Sequence, residues 1–353
     1  MSDPTTPTCS PTPTTPSTSS NPTTASTDAN TAGSDRADTT AAHTGGAEAA
    51  TTAAHTGGAE AAAPRAADDA SAGSADAGAG DTASGGSADA GAGSVGYSVD
   101  AGVATITLNR PDAMNALDTP TKILLRDTIL AAADDPGVRV VVLTGTGRAF
   151  CVGQDLKEHI GLLQANDQEA LWSTVPDHYA PIAQALAEMP KPVIAAVNGV
   201  AAGAGASMAF ACDFRIVADT AGFNLAFTGI ALSCDTGISW TLPRLIGHAK
   251  ALELLYFPRT IPAPEALDLG LATSVVPSAD LATAVADLAT KLAQGPTIAY
   301  GAVRQSLSYS AAHTLAESLA FEATQMQRTG ATQDHQNAVT SFVAKQKPTF
   351  TGQ

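Results

Sequence analysis

The sequence predicts an α/β fold with a helical carboxy-terminal region, preceded by a disordered amino-terminal tail. Residues 1–95 contain no Phe, Trp, Tyr, Leu, Ile or Lys, so they cannot bury enough apolar surface to offset the entropy of the chain. In residues 96–290, strand-type and helix-type apolar patterns alternate, which is typical of an α/β core. In residues 291–353 helical patterns predominate, and we expect a helical region there.

The predicted tail is also repetitive. Residues 39–50 and 51–62 are identical, and residues 74–80 recur as 87–93. Such a repeat could belong to a solenoid, but this unit has no apolar face for stacking, which favours low-complexity sequence. We therefore expect the tail to be dispensable for whatever activity the rest of the chain has.

Apolar patterns along the rest of the chain predict the following elements. In chain order they are strand 103–108, helix 121–133, strand 138–143, helix 179–189, strand 193–197, helix 203–212, strand 214–217, helices 240–246, 250–256 and 264–269, strand 273–276, and further helices to residue 343. Residues 138–143 are mostly β-branched, as expected for a strand buried on both faces. Residues 203–212 are small and apolar all round, which indicates a buried helix. Residues 160–176 show no clear pattern, and we expect a loop there.

Charge and composition exclude several functions. The tail carries −9 of the net charge of −16, and the rest of the chain carries −7. No basic stripe that would bind nucleic acid runs through the rest of the chain. The apolar runs are strand-sized, far below the ~20 residues of a membrane span. We see no secretory leader and expect a cytoplasmic protein. The cysteines fall at no metal-ligand spacing, which fits a reducing compartment; they are Cys9, Cys151, Cys212 and Cys234.

Two short segments place small residues where a strand meets a turn or the start of a helix. They are residues 148–157 (RAFCVGQDLK) and 198–207 (NGVAAGAGAS). Backbone N–H groups at such positions lack intrachain partners and can point at a ligand. Two converging donors would form an oxyanion hole. Neither segment pairs a nucleophile with a histidine, so the pattern favours polarisation of a carbonyl group over attack on it.

Eight motifs occur in a characteristic order between residues 106 and 271. They are ITLNRP at 106–111, NAL at 115–117, RVVVLTG at 139–145, AFCVGQDL at 149–156, KPVIAAVNG at 191–199, DFRIV at 213–217, LPRLIG at 242–247 and ALDLGL at 266–271. In these motifs the chain from about Tyr97 onward resembles the crotonase (enoyl-CoA hydratase/isomerase) superfamily. The resemblance implies a spiral of ββα units, a homotrimer or hexamer, and an acyl-CoA thioester substrate.

Site residues follow from the same resemblance. It implies that the backbone N–H groups of Gln154 and Ala204 form the oxyanion hole. It implies a role in coenzyme A binding for Ala116, Asp155, Leu156 and Lys157. Asp155 could instead cap the following helix, and Lys157 could be a solvated surface charge. Coenzyme A enters as part of the substrate, and we expect no separate cofactor and no metal.

The chain departs from the resemblance at two positions. Hydratases of this superfamily hold one water molecule with two glutamates, and the matching positions here are Ser207 and Phe227. Neither side chain is a general base near pH 7. For Ser207 we favour a structural role, with its hydroxyl bonded to the preceding turn.

One carboxylate remains well placed. Asp235 stands where several relatives carry an aspartate, and apolar neighbours such as Ile230, Leu232 and Trp240 would raise its pKa. We expect Asp235 to shuttle a proton, although it could instead be the N-cap of the helix that leads into Trp240.

Three hypotheses follow. The chain could be an enoyl-CoA isomerase or a related ring-type isomerase, which the single carboxylate favours. It could be a hydratase with an atypical base, or an acyl-CoA-binding relative without catalytic activity. The last becomes the better interpretation if Asp235 is only a helix cap.

Overall fold

The computed structural model describes residues 93–353. The tail predicted for residues 1–95 lies outside the described residues, except at its end, where Val95 begins the first strand. Within residues 93–353, no helix combines the length and the apolar character needed to cross a membrane.

The described chain alternates strands with helices, as predicted. The strands are β1 (Val95–Asp100), β2 (Val103–Leu108), β3 (Val140–Gly145), β4 (Ala149–Cys151), β5 (Val193–Val197), β6 (Val200–Ala202), β7 (Phe214–Ala218), β8 (Gly222–Asn224), β9 (Thr260–Pro262) and β10 (Ser274–Val276). The α-helices are α1 (Thr119–Asp134), α2 (Leu156–Gln164), α3 (Gln168–Thr174), α4 (Ala180–Glu188), α5 (Ala204–Ala211), α6 (Ile238–Ile246), α7 (His248–Tyr256), α8 (Ala263–Asp268), α9 (Leu281–Ala293), α10 (Thr297–Ser310), α11 (Leu315–Gly330) and α12 (Gln333–Val343). A π-helical turn, Val175–Tyr179, joins α3 to α4.

Two sheets organise these elements. The larger has the order β1-β2-β3-β5-β7-β10, and the smaller has the order β4-β6-β8-β9. In three successive units, β3-β4-α2, β5-β6-α5 and β7-β8-α6, the first strand joins the larger sheet and the second joins the smaller one. This repeat confirms the predicted spiral of ββα units. Helices α10 to α12 form the predicted helical region at the carboxy terminus.

The core lies where the sequence is most uniformly apolar. All five residues of β5 and the first four of β3 are buried, because helices or the second sheet cover both faces of these strands. All eight residues of α5 are buried, as its lack of a polar face predicts. The central strands and α5 therefore form a rigid support for the residues at their ends.

The prediction of a loop at residues 160–176 is wrong. Helices α2 and α3 and the start of the π-helical turn occupy it, with the side chains of Asp155 and Asp167 accepting hydrogen bonds at the two helix starts. Both helices are short and largely exposed, so no apolar stripe marks them in the sequence. The strands of the smaller sheet were also missed, because three residues are too few to show alternation.

Candidate active site

A cavity of about 920 Å³ opens between the smaller sheet, α2 and α3. The two small-residue segments meet at its wall, since Gln154 and Ala204 both line it, and so does Asp235. The three residues predicted to carry the chemistry, which are up to 81 positions apart in the chain, thus face one space.

Gly153 brings the two backbone donors together. Its φ of +81° turns the chain sharply after β4. A Cβ at this position would lie 3.0 Å from the Ala204 nitrogen and 2.9 Å from the Ala202 carbonyl oxygen, so the two backbones are in close contact. Neither the Gln154 nor the Ala204 N–H donates a hydrogen bond to another group of residues 93–353. Both donors are therefore free to bind a ligand oxygen.

The start of α5 is fixed by two glycines. Gly203 has a φ of 52° and a ψ of −124°, a conformation that side chains disfavour. Gly205 lies against the Cys151 carbonyl, where a Cβ would overlap the oxygen. Close packing of the helix against β4 therefore requires a glycine at position 205. The same packing brings the Ala204 N–H and the positive end of the helix dipole to the cavity.

Asp235 is partly buried at the cavity wall. The Thr236 hydroxyl donates a hydrogen bond to its Oδ1 atom (2.8 Å). Burial raises the pKa of the Asp235 carboxyl above its usual value, although the Thr236 hydrogen bond and the charge of Lys122 oppose the shift. A raised pKa moves the carboxylate toward the range that suits a general base.

The N-cap alternative for Asp235 is wrong. Helix α6 begins after Gly237, and no side chain caps it. Only the backbone carbonyl of Asp235 accepts a hydrogen bond from the helix, from the Ile238 N–H (3.2 Å). Of the apolar neighbours expected for Asp235, Ile230 and Leu232 line the cavity with it, whereas the half-exposed ring of Trp240 packs under the Arg244 guanidinium group.

The side chains of Ser207 and Phe227 are not placed to activate a water molecule. The Ser207 side chain is fully buried, and its hydroxyl donates to the Gly203 carbonyl (3.0 Å), which confirms the structural role favoured above. Phe227 is buried and lines the cavity. The two positions that carry glutamates in hydratases of the superfamily thus contribute one turn-stabilising hydroxyl and one apolar wall.

Asp155 is the N-cap of α2. Its Oδ1 atom accepts hydrogen bonds from the N–H groups of Lys157 (3.0 Å) and Glu158 (3.4 Å), and its Oδ2 atom pairs with Arg110 (3.1 Å). Partial burial by itself would raise the pKa of Asp155, but the hydrogen bonds from Arg110, Glu158 and Lys157 outweigh it and lower the pKa. The capping alternative is confirmed. Ala116, Leu156 and Lys157 also line the cavity, and their part in coenzyme A binding stays a prediction.

Two buried polar residues were missed by the sequence analysis. The Lys122 ammonium group and the Tyr179 hydroxyl both donate to the side-chain oxygen of Gln154, at 3.1 and 2.8 Å. Lys122 occupies an inward position on α1, in phase with the buried Leu125 and Ile129. A lysine within the apolar stripe of a helix could have indicated a buried polar contact. Nothing in the local sequence marks Tyr179.

The spiral of ββα units, with two unpaired backbone N–H groups at one cavity, fits a family of acyl-CoA enzymes. The chain belongs to the enoyl-CoA hydratase/isomerase family, which residues 98–353 match. It is 37% identical over 254 residues to a 1,2-epoxyphenylacetyl-CoA isomerase of Escherichia coli, covering 72% of this chain and 97% of that protein. It is 33% identical to a crotonyl-CoA hydratase of Syntrophomonas wolfei, covering 70% and 94%. A crystal structure of an enoyl-CoA hydratase from Bacillus anthracis is similar with a TM-score of 0.67 at 32% identity, covering 74% and 100%.

Proposed function

We propose that the protein is an enoyl-CoA isomerase. In this proposal the N–H groups of Gln154 and Ala204 stabilise the thioester enolate, and Asp235 moves the proton. The observation that carries it is the presence of a carboxylate that is not a helix cap in the same cavity as two unpaired backbone donors. Family membership supports an acyl-CoA thioester as the substrate.

Asp235 is the best candidate base among the acidic residues of this cavity. In the described part of the chain these residues are Asp112, Asp155 and Asp235. Asp155 is held by Arg110 and by the start of α2. Asp112 is exposed in the short 3-10 turn after Arg110. Asp235 combines partial burial and a raised pKa with a place on the wall of the cavity that Gln154 and Ala204 also line.

The chemistry needs one carboxylate. Ionised Asp235 takes a proton from C2 of a 3-enoyl thioester, and the electron pair delocalises into the carbonyl as a dienolate. The donors of Gln154 and Ala204 stabilise the resulting oxyanion. Protonated Asp235 then returns the proton to C4, giving the 2-enoyl product. No water is consumed, so the residues at positions 207 and 227 need not hold one.

The two alternatives to an isomerase are a hydratase with an atypical base and an acyl-CoA-binding protein without activity. Similarity to a crotonyl-CoA hydratase favours a hydratase with an atypical base. Similarity to an epoxyphenylacetyl-CoA isomerase favours the proposed isomerase class. An acyl-CoA-binding protein without activity was the better interpretation only if Asp235 served as a helix cap, and its side chain does not cap α6.

The test is an assay of the purified protein with 3-enoyl-, 2-enoyl- and arylacetyl-CoA thioesters. We expect conversion of the 3-enoyl thioester, and a loss of about 10²–10⁴-fold in rate for Asp235→Asn. Asp287→Asn, an exposed change on α9, is the matched control. Rapid hydration of 2-enoyl-CoA by the unmodified protein, or Asp235→Asn activity within a few-fold of the control, would contradict the proposal.

We also propose that the protein assembles as a homotrimer or hexamer. The carboxy-terminal helices expose eight large apolar side chains, and clusters of such side chains often mark interfaces. They are Val303, Leu307, Leu315, Leu319, Met326, Val339, Phe342 and Val343. Sedimentation at micromolar concentration should give the mass of three or six chains, and a monomer would contradict this.

A cytoplasmic location is the last part of the proposal. Cys151 and Cys212 are free and buried, and burial raises the pKa of each thiol to about 12. Inert, unpaired thiols suit a reducing compartment. Cell fractionation that recovers the protein outside the cytoplasm would contradict this location.

A further inference from the structure

A buried lysine stands behind the wall of the candidate active site. We propose that Lys122 is a positioning residue: together with the Tyr179 hydroxyl, its ammonium group holds the Gln154 side chain, and thereby the loop that carries the Gln154 N–H donor. This inference rests on the proposed function, since it gives Lys122 a part in that reaction.

The Lys122 ammonium group has three partners. Only 2% of the residue is exposed. Its Nζ atom donates to Thr174 Oγ1 (2.7 Å), Gln154 Oε1 (3.1 Å) and Glu158 Oε1 (3.4 Å). The Tyr179 hydroxyl donates to the same Gln154 oxygen (2.8 Å). Two buried donors from different parts of the fold therefore converge on one amide oxygen.

Anchoring Gln154 matters because its backbone N–H is one of the two proposed oxyanion donors. Leu117 binds the chain on both sides of Gln154, donating to the Gly153 carbonyl (2.8 Å) and accepting from the Asp155 N–H (3.1 Å). The Gly153 carbonyl and the Gln154 N–H belong to one peptide group, so the bond from Leu117 fixes the edge of that group opposite the donor. The anchored side chain of Gln154 holds the Cα atom that follows this peptide group, so the two anchors together keep the N–H directed at the enolate oxygen in the proposed reaction.

Stability alone does not account for a lysine here. A buried ammonium group loses its hydration, and replacing a buried ion pair with apolar residues of similar size is often neutral or stabilising. Glu158 keeps other partners, because the N–H and the hydroxyl of Thr119 donate to it at 2.8 and 3.0 Å. A methionine would fill the space of Lys122 without the cost of burying a charge.

The charge of Lys122 also acts on the proposed base. The groups that titrate around Asp235 are Lys122 on α1, Tyr179 on the π-helical turn and the adjacent Cys234. Burial, and secondarily the charge of Asp235, raise the pKa of Tyr179 well above its usual value, so it stays a neutral donor. Lys122 lowers the pKa of Asp235 against the effect of burial. Without Lys122 that pKa rises, and the acid limb of the pH–rate profile moves to higher pH.

The experiment compares Lys122→Met with Lys191→Met in the full-length protein. Lys191 is also buried, but its ammonium group donates to the carbonyls of Ala132 and Asp135 at the far end of α1. Three quantities are measured: isomerisation of 3-enoyl-CoA, exchange of the C2 protons of phenylacetyl-CoA with D₂O, and the free energy of unfolding. Exchange reports on enolate formation even if isomerisation is not the natural reaction.

We expect Lys122→Met to lower kcat and the exchange rate about 10- to 100-fold, the scale of a small misplacement of a catalytic group. KM should change little, and the acid limb of the pH–rate profile should move to higher pH. Lys191→Met should leave kcat, the exchange rate and the pH–rate profile unchanged. In a Gln154→Ala background, Lys122→Met should lower kcat no further, although the acid limb still moves.

The outcomes separate the two proposals. Exchange without isomerisation by the unmodified protein, with a loss of exchange on Lys122→Met, would overturn the isomerase assignment and support the role of Lys122. An active protein in which Lys122→Met behaves like Lys191→Met would overturn the role of Lys122 alone. Full additivity of Lys122→Met and Gln154→Ala would also overturn it. An unmodified protein with neither activity would overturn both.

Discussion

The Cα atom of Gly205 packs directly against the carbonyl oxygen of Cys151. This contact joins the first turn of α5 to the end of β4, the two elements that carry the proposed oxyanion donors. A side chain at Gly205 would meet backbone, which cannot move aside as a flexible side chain can. The distance between the two donors therefore depends on the absence of one Cβ atom.

Gly205→Ala should lower both stability and activity. We expect a loss of about 1–3 kcal/mol in the free energy of unfolding from overpacking, together with loss of thioester turnover. Gly161→Ala is the control, because this exposed glycine of α2 has open space around it. That change should stabilise the protein by about 0.5–1 kcal/mol. Denaturant unfolding and the isomerase assay measure both effects, and equal stability for the two variants would contradict the packing argument.

Asp235→Asn should stabilise the protein at neutral pH while removing activity. The folded-state pKa of Asp235 is raised by burial, so the unmodified protein loses stability as pH rises through that pKa. Asparagine does not ionise and escapes this loss. The difference in Tm between the two proteins should therefore be largest near pH 7 and vanish below the usual carboxyl range. A Tm difference that does not depend on pH would argue against an Asp235 carboxylate that is destabilised by burial.

Ser207→Ala should leave activity within a few-fold of the unmodified enzyme. The Ser207 hydroxyl binds the Gly203 carbonyl, and that carbonyl keeps its bond from the Ser207 N–H (3.0 Å). We expect a loss of about 0.5–1.5 kcal/mol in the free energy of unfolding, as for a single hydrogen bond. A large fall in kcat with an unchanged KM would instead show that the hydroxyl takes part in the reaction.

A shortened chain that begins at Gly93 should fold and keep full activity. It retains β1 and the hydrogen bond from Asn109 to the Gly93 carbonyl (3.3 Å). Specific activity and Tm of the shortened and full-length proteins should agree. If the shortened protein stayed folded but lost activity, the first 92 residues would have a functional role.

The sequence predicted the elements whose signals are local. The uniform apolar character of β3, β5 and α5 required burial, and the structure has it. The glycines at 153 and 203 marked turns, because only glycine adopts their backbone conformations without strain. Helices α2 and α3 were missed since they are short and mostly exposed, and their stability depends on caps and on packing.

By itself, the sequence determined the class of fold, and through the family resemblance it predicted backbone donors at Gln154 and Ala204. Tertiary structure alone decided whether Asp235 caps a helix or faces the cavity, and it alone brought Lys122 and Tyr179 to the side chain of Gln154. These contacts join positions 25 and 32 residues apart. Periodicity and turn preferences extend over a few residues, so they specify elements but not which side chains meet when those elements pack.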